Sequence, residues 1–195
     1  MGVYLVDVGA QAWSDDSEDG RGALAAALNE ELGRRGLPPL APPPEETRLV
    51  RGAGQSFEEK LVPPMDGFAA LCTAHLSPQE SETLSGWSLL VPLPLEEEIR
   101  LPVPDAYADE TVVAGAPRVL ALARRLAALL ELPPEVPSAC DNLDLTMWFL
   151  DGAAEQVAAA RPGPWSEDLD AAFYVALYLR AAEHCIRRGA PIAFC

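Results

Sequence analysis

Carboxylates, three tyrosines, three cysteines and His184 share the second half of this 195-residue sequence, and their spacing decides what they could do together. The segment "CDNLDLTMWFLD" carries Asp141, Asp144 and Asp151, which fall close to one face if it is helical. Three acids beside Trp148 could hold a magnesium ion or supply general acid–base groups. An acidic first turn on a solvated helix accounts for the same residues with no chemistry at all. Tyr178, Glu183 and His184 follow in the last long apolar segment, so the candidate catalytic set is Asp141, Asp144, Tyr178 and His184. A pocket for them would lie between the proline-rich residues 86–105 and the last two helices.

Cys72-x-x-His75 and the adjacent His184-Cys185, with Cys195 nearby, are zinc-type ligands. Their spacing matches no standard zinc motif, and neighbours on a helix point about 100° apart. Neither a metal nor a cofactor is expected. As nucleophiles, Cys72, Cys140, Cys185 and Cys195 would each need a base and a lowered thiol pKa. Cys140 is placed best, near a helix start whose dipole favours thiolate, although Asp141 and Asp144 oppose it. The sequence contains no G-x-S-x-G elbow, no phosphate-binding G-x-x-x-x-G-K-[ST] and no dinucleotide G-x-G-x-x-G. Arg51 beside Gly52 and Gly54 offers at most a loop for an anion.

"WSDDSEDG", Trp13 to Gly20, matches the first half of a calcium loop, with Asp15, Ser17, Asp19 and Gly20 in order. Calcium then needs an apolar eighth residue and a bidentate glutamate at the twelfth; Gly22 and Ala26 stand there. An acidic helix entrance explains the run without an ion.

The formal net charge is −16. A field of that sign repels phosphate backbones and anionic membrane surfaces, which argues against nucleic-acid or membrane binding. It steers a basic protein toward the chain, and it also serves solubility. Acidic clusters lie at residues 15–19, 45–46 and 96–98. The candidate binding residues are therefore Asp15, Asp16, Glu18, Asp19, Glu96, Glu97 and Glu98, with Trp13 and Trp87 as aromatic anchors. Trp165 shares their position at an element boundary, where a tryptophan can equally close the end of a core.

The elements that must position these groups follow from patterning. "VYLVDVGA" reads as a buried strand. Leu24, Leu28 and Leu32 mark one face of a helix that stops at Gly36 and Pro38. Residues 40–64 read as loop with a short strand at 47–51. "MDGFAALCTAHL" is helical, and Ser77-Pro78-Gln79-Glu80 is a capping box opening a short helix. Residues 86–105 suggest a hairpin with Glu96–Glu98 near its tip, or an extended segment, because four prolines remove ladder donors. A helix from Pro117 carries Val119, Leu122, Ala123, Leu126 and Leu130 inward. In residues 142–160 Leu143, Leu145, Met147 and Phe149 alternate like a strand, but the length and the Ala-rich continuation favour a helix, interrupted or weakened at Gly152. The last helix runs from a Ser166 cap to Gly189, apolar almost all round and hence central, and "PIAFC" could add a strand.

The expectation is one α+β domain over residues 1–195, with four to five helices on a small mixed or antiparallel sheet. Its length buries enough surface to need no disulfide or metal. The N-terminus makes a poor signal peptide, and no run of about eighteen apolar residues occurs. A cytoplasmic protein with free thiols is expected. A single lysine, Lys60, against thirteen arginines is the bias of a GC-rich, bacterial genome. Two functions compete: an acidic binding protein that captures a basic partner, in the manner of a small inhibitor or immunity protein, and a small enzyme or ligand-binding protein using the C-terminal carboxylate, tyrosine and histidine set.

Overall fold

Val3–Asp7, the first apolar run, forms strand β1, and Ile192–Phe194, the last, forms β6 and pairs with it antiparallel. The computed structural model describes residues 2–17, 20–45, 50, 52–105 and 107–195. Between those strands run α1 (Ala10–Ser14), α2 (Gly22–Arg34), β2 (Glu58–Leu61), α3 (Asp66–His75), α4 (Pro78–Ser85) and β3 (Leu89–Val91). There follow β4 (Ile99–Leu101), β5 (Thr111–Gly115), α5 (Ala116–Leu130), α6 (Asp144–Leu150), α7 (Ala153–Ala160), a short 3-10 turn at Pro164–Ser166 and α8 (Leu169–Arg188). The class is α+β. The described residues form eight α-helices, more than the four to five expected, on a six-stranded mixed sheet.

The strand order is β2-β1-β6-β3-β5-β4. Every neighbouring pair is antiparallel except β3 and β5, which run parallel with Leu89 opposite Val113. Side chains alternate across the sheet, as strand geometry requires. Leu5, Leu90, Ala114 and Ile192 face a core shared with α3, α5, α6 and α8. Leu89, Val91, Ile99, Val113 and Ala193 face the opposite core, closed by Trp13 of α1 and by Leu24, Leu28 and Leu32 of α2. Helices therefore cover both faces.

Helix α8 is central, as its all-round apolar sequence demands. Thirteen of its twenty residues are buried, and it packs mainly on α5. Asp168, not Ser166, caps it, accepting from the Ala171 N–H at 2.9 Å. Ser166 instead closes the preceding turn by bonding both backbone groups of Gly163. At the other end Gly189 adopts φ +64, a left-handed position that favours glycine after a helix.

Three expectations change. Residues 86–105 do not form a hairpin: β3 and β4 both pair with β5, which separates them. Gly115, at the end of β5, lets the backbone of Leu93 and Leu95 approach closely where a Cβ would collide. Residues read as loop supply a strand, β2, whose outer edge is occupied by the segment leading into α6. Glu58 N–H donates to Cys140 O at 2.8 Å, Leu143 N–H donates to Glu58 O at 2.8 Å, and Lys60 N–H donates to Thr146 Oγ1 at 3.1 Å. Such cover removes an exposed strand edge. Finally, the acids at 15–16 precede α2 rather than form its first turn, which contains none. The strand expected at 47–51 lies largely outside the described residues.

Ser77 and Glu80 form the capping box read from sequence, with Glu80 N–H donating to Ser77 Oγ and Ser77 N–H to Glu80 Oε2. Glu80 also takes both amino groups of Arg125, at 2.8 and 3.0 Å, which ties α4 to α5. That guanidinium, joined by the Ser77 N–H, holds the Glu80 carboxyl down to about 2 from its ordinary 4.5. The stability this carboxylate contributes is present above about pH 4.5 and is lost as pH falls toward about 2. Glu80→Gln removes the contribution. The stability advantage of the native chain over this variant, read from urea unfolding, should shrink as pH drops through that window.

Candidate functional site

At the sheet end where β1 stops and β6 starts, a chain of polar contacts runs through several of the residues singled out by type. His184, near the C-terminus of α8 and 2% exposed, places Nε2 3.1 Å from Asp7 Oδ2. Its Nδ1 lies 3.4 Å from Arg187 Nη2. A guanidinium can only donate, so Nδ1 accepts and the proton sits on Nε2, directed at Asp7. Arg187 Nη2 also donates to Gly54 O at 3.1 Å. The Gly54 and Ser56 N–H groups donate to the two oxygens of Asp141, at 3.1 and 3.2 Å. Asp144 in turn accepts from the N–H groups of Asp141 and Asn142. Three of the four candidate catalytic residues thus belong to one network, and each is engaged in holding backbone or a neighbouring side chain.

Tyr178 lies apart from them. It is 1% exposed on α8, stacked on Phe68 at 5.4 Å and edge-on to Trp87. Burial pushes its hydroxyl well above its ordinary value. Glu183 pairs with Arg180 at 2.9 Å and Arg124 at 3.6 Å, while Arg180 also fastens the carbonyls of Val136 and Pro137 to α8. Asp151 is exposed beyond α6. Grooves lined by Trp87 and Tyr107, by Pro133 and Trp165, and by Leu37 and Glu96 contain none of Asp141, Asp144, Tyr178, Glu183 or His184.

Sequence reasoning passed over Glu59. This side chain of β2 is fully buried and accepts from Leu145 N–H, Thr146 N–H and Thr146 Oγ1, at 2.7–2.8 Å. It caps α6 from a strand more than eighty residues earlier. Burial raises its carboxyl above the ordinary value against these donors and Cys140. Its one sequence signal is a carboxylate amid a short run that alternates around Leu61, too weak to mark.

The thiols behave as small hydrophobes. Cys72, Cys140 and Cys185 are buried. Burial pushes Cys72 up to about 11, burial and Glu59 push Cys140 higher, and Cys185 lies well above its ordinary value. Cys185 Sγ approaches Leu90 O, Cys195 Sγ accepts from Arg21, and His75 is exposed on α3. Among the described residues, no three His, Cys, Asp or Glu side chains gather as metal ligands do.

Of the candidate binding residues, Asp15, Asp16, Glu96 and Glu97 are exposed, and none enters a described ion pair. Asp15 accepts from the Ser17 N–H, which holds its carboxyl below the usual range. Glu96 and Glu97 border a 280 Å³ groove with Arg35, Leu37 and Pro94. Glu98 is half-buried; burial works against its charge, but Thr83 Oγ1 at 2.5 Å and nearby Arg118 and Arg100 hold its carboxyl below the usual value. Glu18 and Asp19, like Glu46 and Arg51, lie outside the described residues. Trp13, Trp87 and Trp165 are 2–3% exposed and close the ends of the cores. No described helix is long and apolar enough to cross a membrane.

Two outcomes test this arrangement. Asp7→Ala strips the His184 Nε2–H of its acceptor, and urea unfolding should show a loss of about 1–3 kcal/mol. A thiol reagent should label Cys195 rapidly in the folded chain, and Cys72, Cys140 and Cys185 only in denaturant.

Compared with known protein families, with curated proteins and with solved structures, the chain matches none.

Proposed function

We propose that this chain is an acidic binding protein that captures a basic protein partner. One observation carries the reading: the chain's arginines are largely turned to its own structure while exposed carboxylates stay unpaired. Arg34 and Arg35 pair with Glu30 and Glu31, Arg100 with Glu110, Arg125 with Glu80, Arg161 with Glu135, and Arg180 with Glu183. Arg118 donates to the Glu96 carbonyl, and Arg187 to that of Gly54. Asp15, Asp16, Glu96 and Glu97 carry their charge into solvent, within a net charge of −16.

A surface of one sign raises the encounter rate with an oppositely charged protein and suppresses other partners. The acid–base reading loses force beside this, because Asp141, Asp144 and His184 are committed to internal hydrogen bonds and Tyr178 to the core. A small inhibitor or immunity protein works in this way, by covering a basic surface rather than transforming a substrate.

Affinity capture from the native cell at about 0.05 M salt, where screening is weak, should recover a basic protein. Its association with the purified chain should slow by roughly tenfold or more as salt rises to about 0.5 M. Glu96→Gln with Glu97→Gln should reduce the association rate at low salt and leave unfolding stability unchanged. Recovery of no basic protein, or binding indifferent to salt, overturns the proposal.

A further inference from the structure

At the opposite end of the sheet from His184, a groove of 340 Å³ opens where β3 and β5 begin and β6 ends. Trp87, Phe194, Tyr107 and Val112 contribute to its walls, and Asp105 and Glu110 bring carboxylates to it. The Trp87 and Phe194 rings lie 5.2 Å apart, and the indole N–H is already spent on Leu84 O at 2.9 Å. Trp87, 3% exposed, is therefore held as the buried floor of the groove, and the ring surface open to a ligand belongs to Tyr107 and to half-buried Phe194 above it. Tyr107 is 59% exposed, a large aromatic left on the surface beside acids. Asp105 uses Oδ1 to accept from the N–H groups of Tyr107 and Ala108, and Oδ2 has no described protein partner.

The charge around this groove is lopsided. Asp105, Asp109 and Glu110 occupy one loop, with Glu82 across from it, against Arg100, which reaches Glu110 at 2.5 Å and Glu82 at 3.9 Å. An anionic ligand would meet net repulsion, with Arg100 already neutralised by Glu110 and Glu82. A neutral apolar one would leave Asp105 at its border without a described counter-charge, since Arg100 is taken by those two acids.

Size narrows the occupant. The volume lies at the lower limit of small-molecule pockets, room for one long side chain rather than a dinucleotide. Aromatic faces attract a cation through the ring quadrupole, and a guanidinium adds a planar surface to stack and a fork to bond carboxylate. We propose that this groove receives an arginine side chain of the basic partner, stacked against the aromatic wall and bonded to Asp105 or Glu110. The inference rests on the binding reading above and gives it an anchoring point.

The test titrates N-acetyl-argininamide into the full chain and follows the tryptophan indole signals by NMR, with the neutral isostere N-acetyl-citrullinamide as control. The Trp87 signal should shift and saturate with the arginine probe, and the citrulline probe should bind about tenfold more weakly. Glu110→Gln, which preserves shape, and Tyr107→Ala, at an exposed site, should each weaken the arginine probe severalfold and speed dissociation of a captured partner. No shift at Trp87, or equal binding of both probes, overturns the groove assignment. If salt-sensitive capture of a basic partner persists while the groove variants capture it normally, the assignment falls and the binding reading stands. If the arginine probe saturates the groove but no basic protein is captured, the binding reading falls and the groove is a site for small guanidinium ligands.

Discussion

Residues Ile192–Phe194 occupy the middle of the sheet, with β1 on one side and β3 on the other, and this placement governs the rest of the architecture. In the sheet order β2 and β1 reach the remaining strands through β6, and so do β3, β5 and β4 in the other direction. Because β6 follows α8 directly, fixing the strand also fixes the long helix across one face. Ile192 enters the α8 core and Ala193 the α2 core, so three residues serve both layers. Each buried side chain at such a junction is small or well packed, and a void there would weaken both cores together.

A helix as deeply buried as α8 restricts its polar residues. Whatever it carries inward must find a partner, because an unpaired buried donor or acceptor costs more than the bond it would have made. His184 meets Asp7 and Arg187, Arg180 meets two carbonyls and Glu183, and the Tyr174 hydroxyl donates to Pro63 O at 2.6 Å. Among the described residues no buried side-chain nitrogen or oxygen lacks a partner. The residue types that could have run chemistry are consumed in joining loops to this helix, while the uncommitted charge stays at the surface.

What could be read from the sequence was whatever local forces determine. The β1 run, the leucine stripe of α2, the Ser77–Glu80 capping box, the amphipathic α5 and the all-round apolar α8 each announce themselves within a few turns of chain. Elements specified by distant partners were illegible. β2 is rich in charge and becomes a strand because Tyr4 and Lys60 pair across the sheet and Thr146 blocks its free side. β3 and β4 resemble a hairpin locally, yet β5 takes the place between them. The same division applies to the site. Asp141, Asp144 and His184 were recognisable as polar residues of note, but their backbone partners in residues 54–56, and the burial of Trp13 and Trp87, are set by tertiary packing.

The position of β6 also imposes an order of events during synthesis. β1 emerges first, and the strand that must lie beside it follows roughly 185 residues later, on the order of ten seconds or more at ordinary translation rates. Until then the edges of β1 and β3 that β6 covers lack that partner, and their backbone groups are able to recruit another chain. Tyr4 and Cys195, which exchange both backbone hydrogen bonds at 2.9 Å in the finished sheet, can meet at no earlier moment. The sheet is therefore joined by a long-range closure, and the edges of β1 and β3 that β6 covers are the ones open to other chains before it.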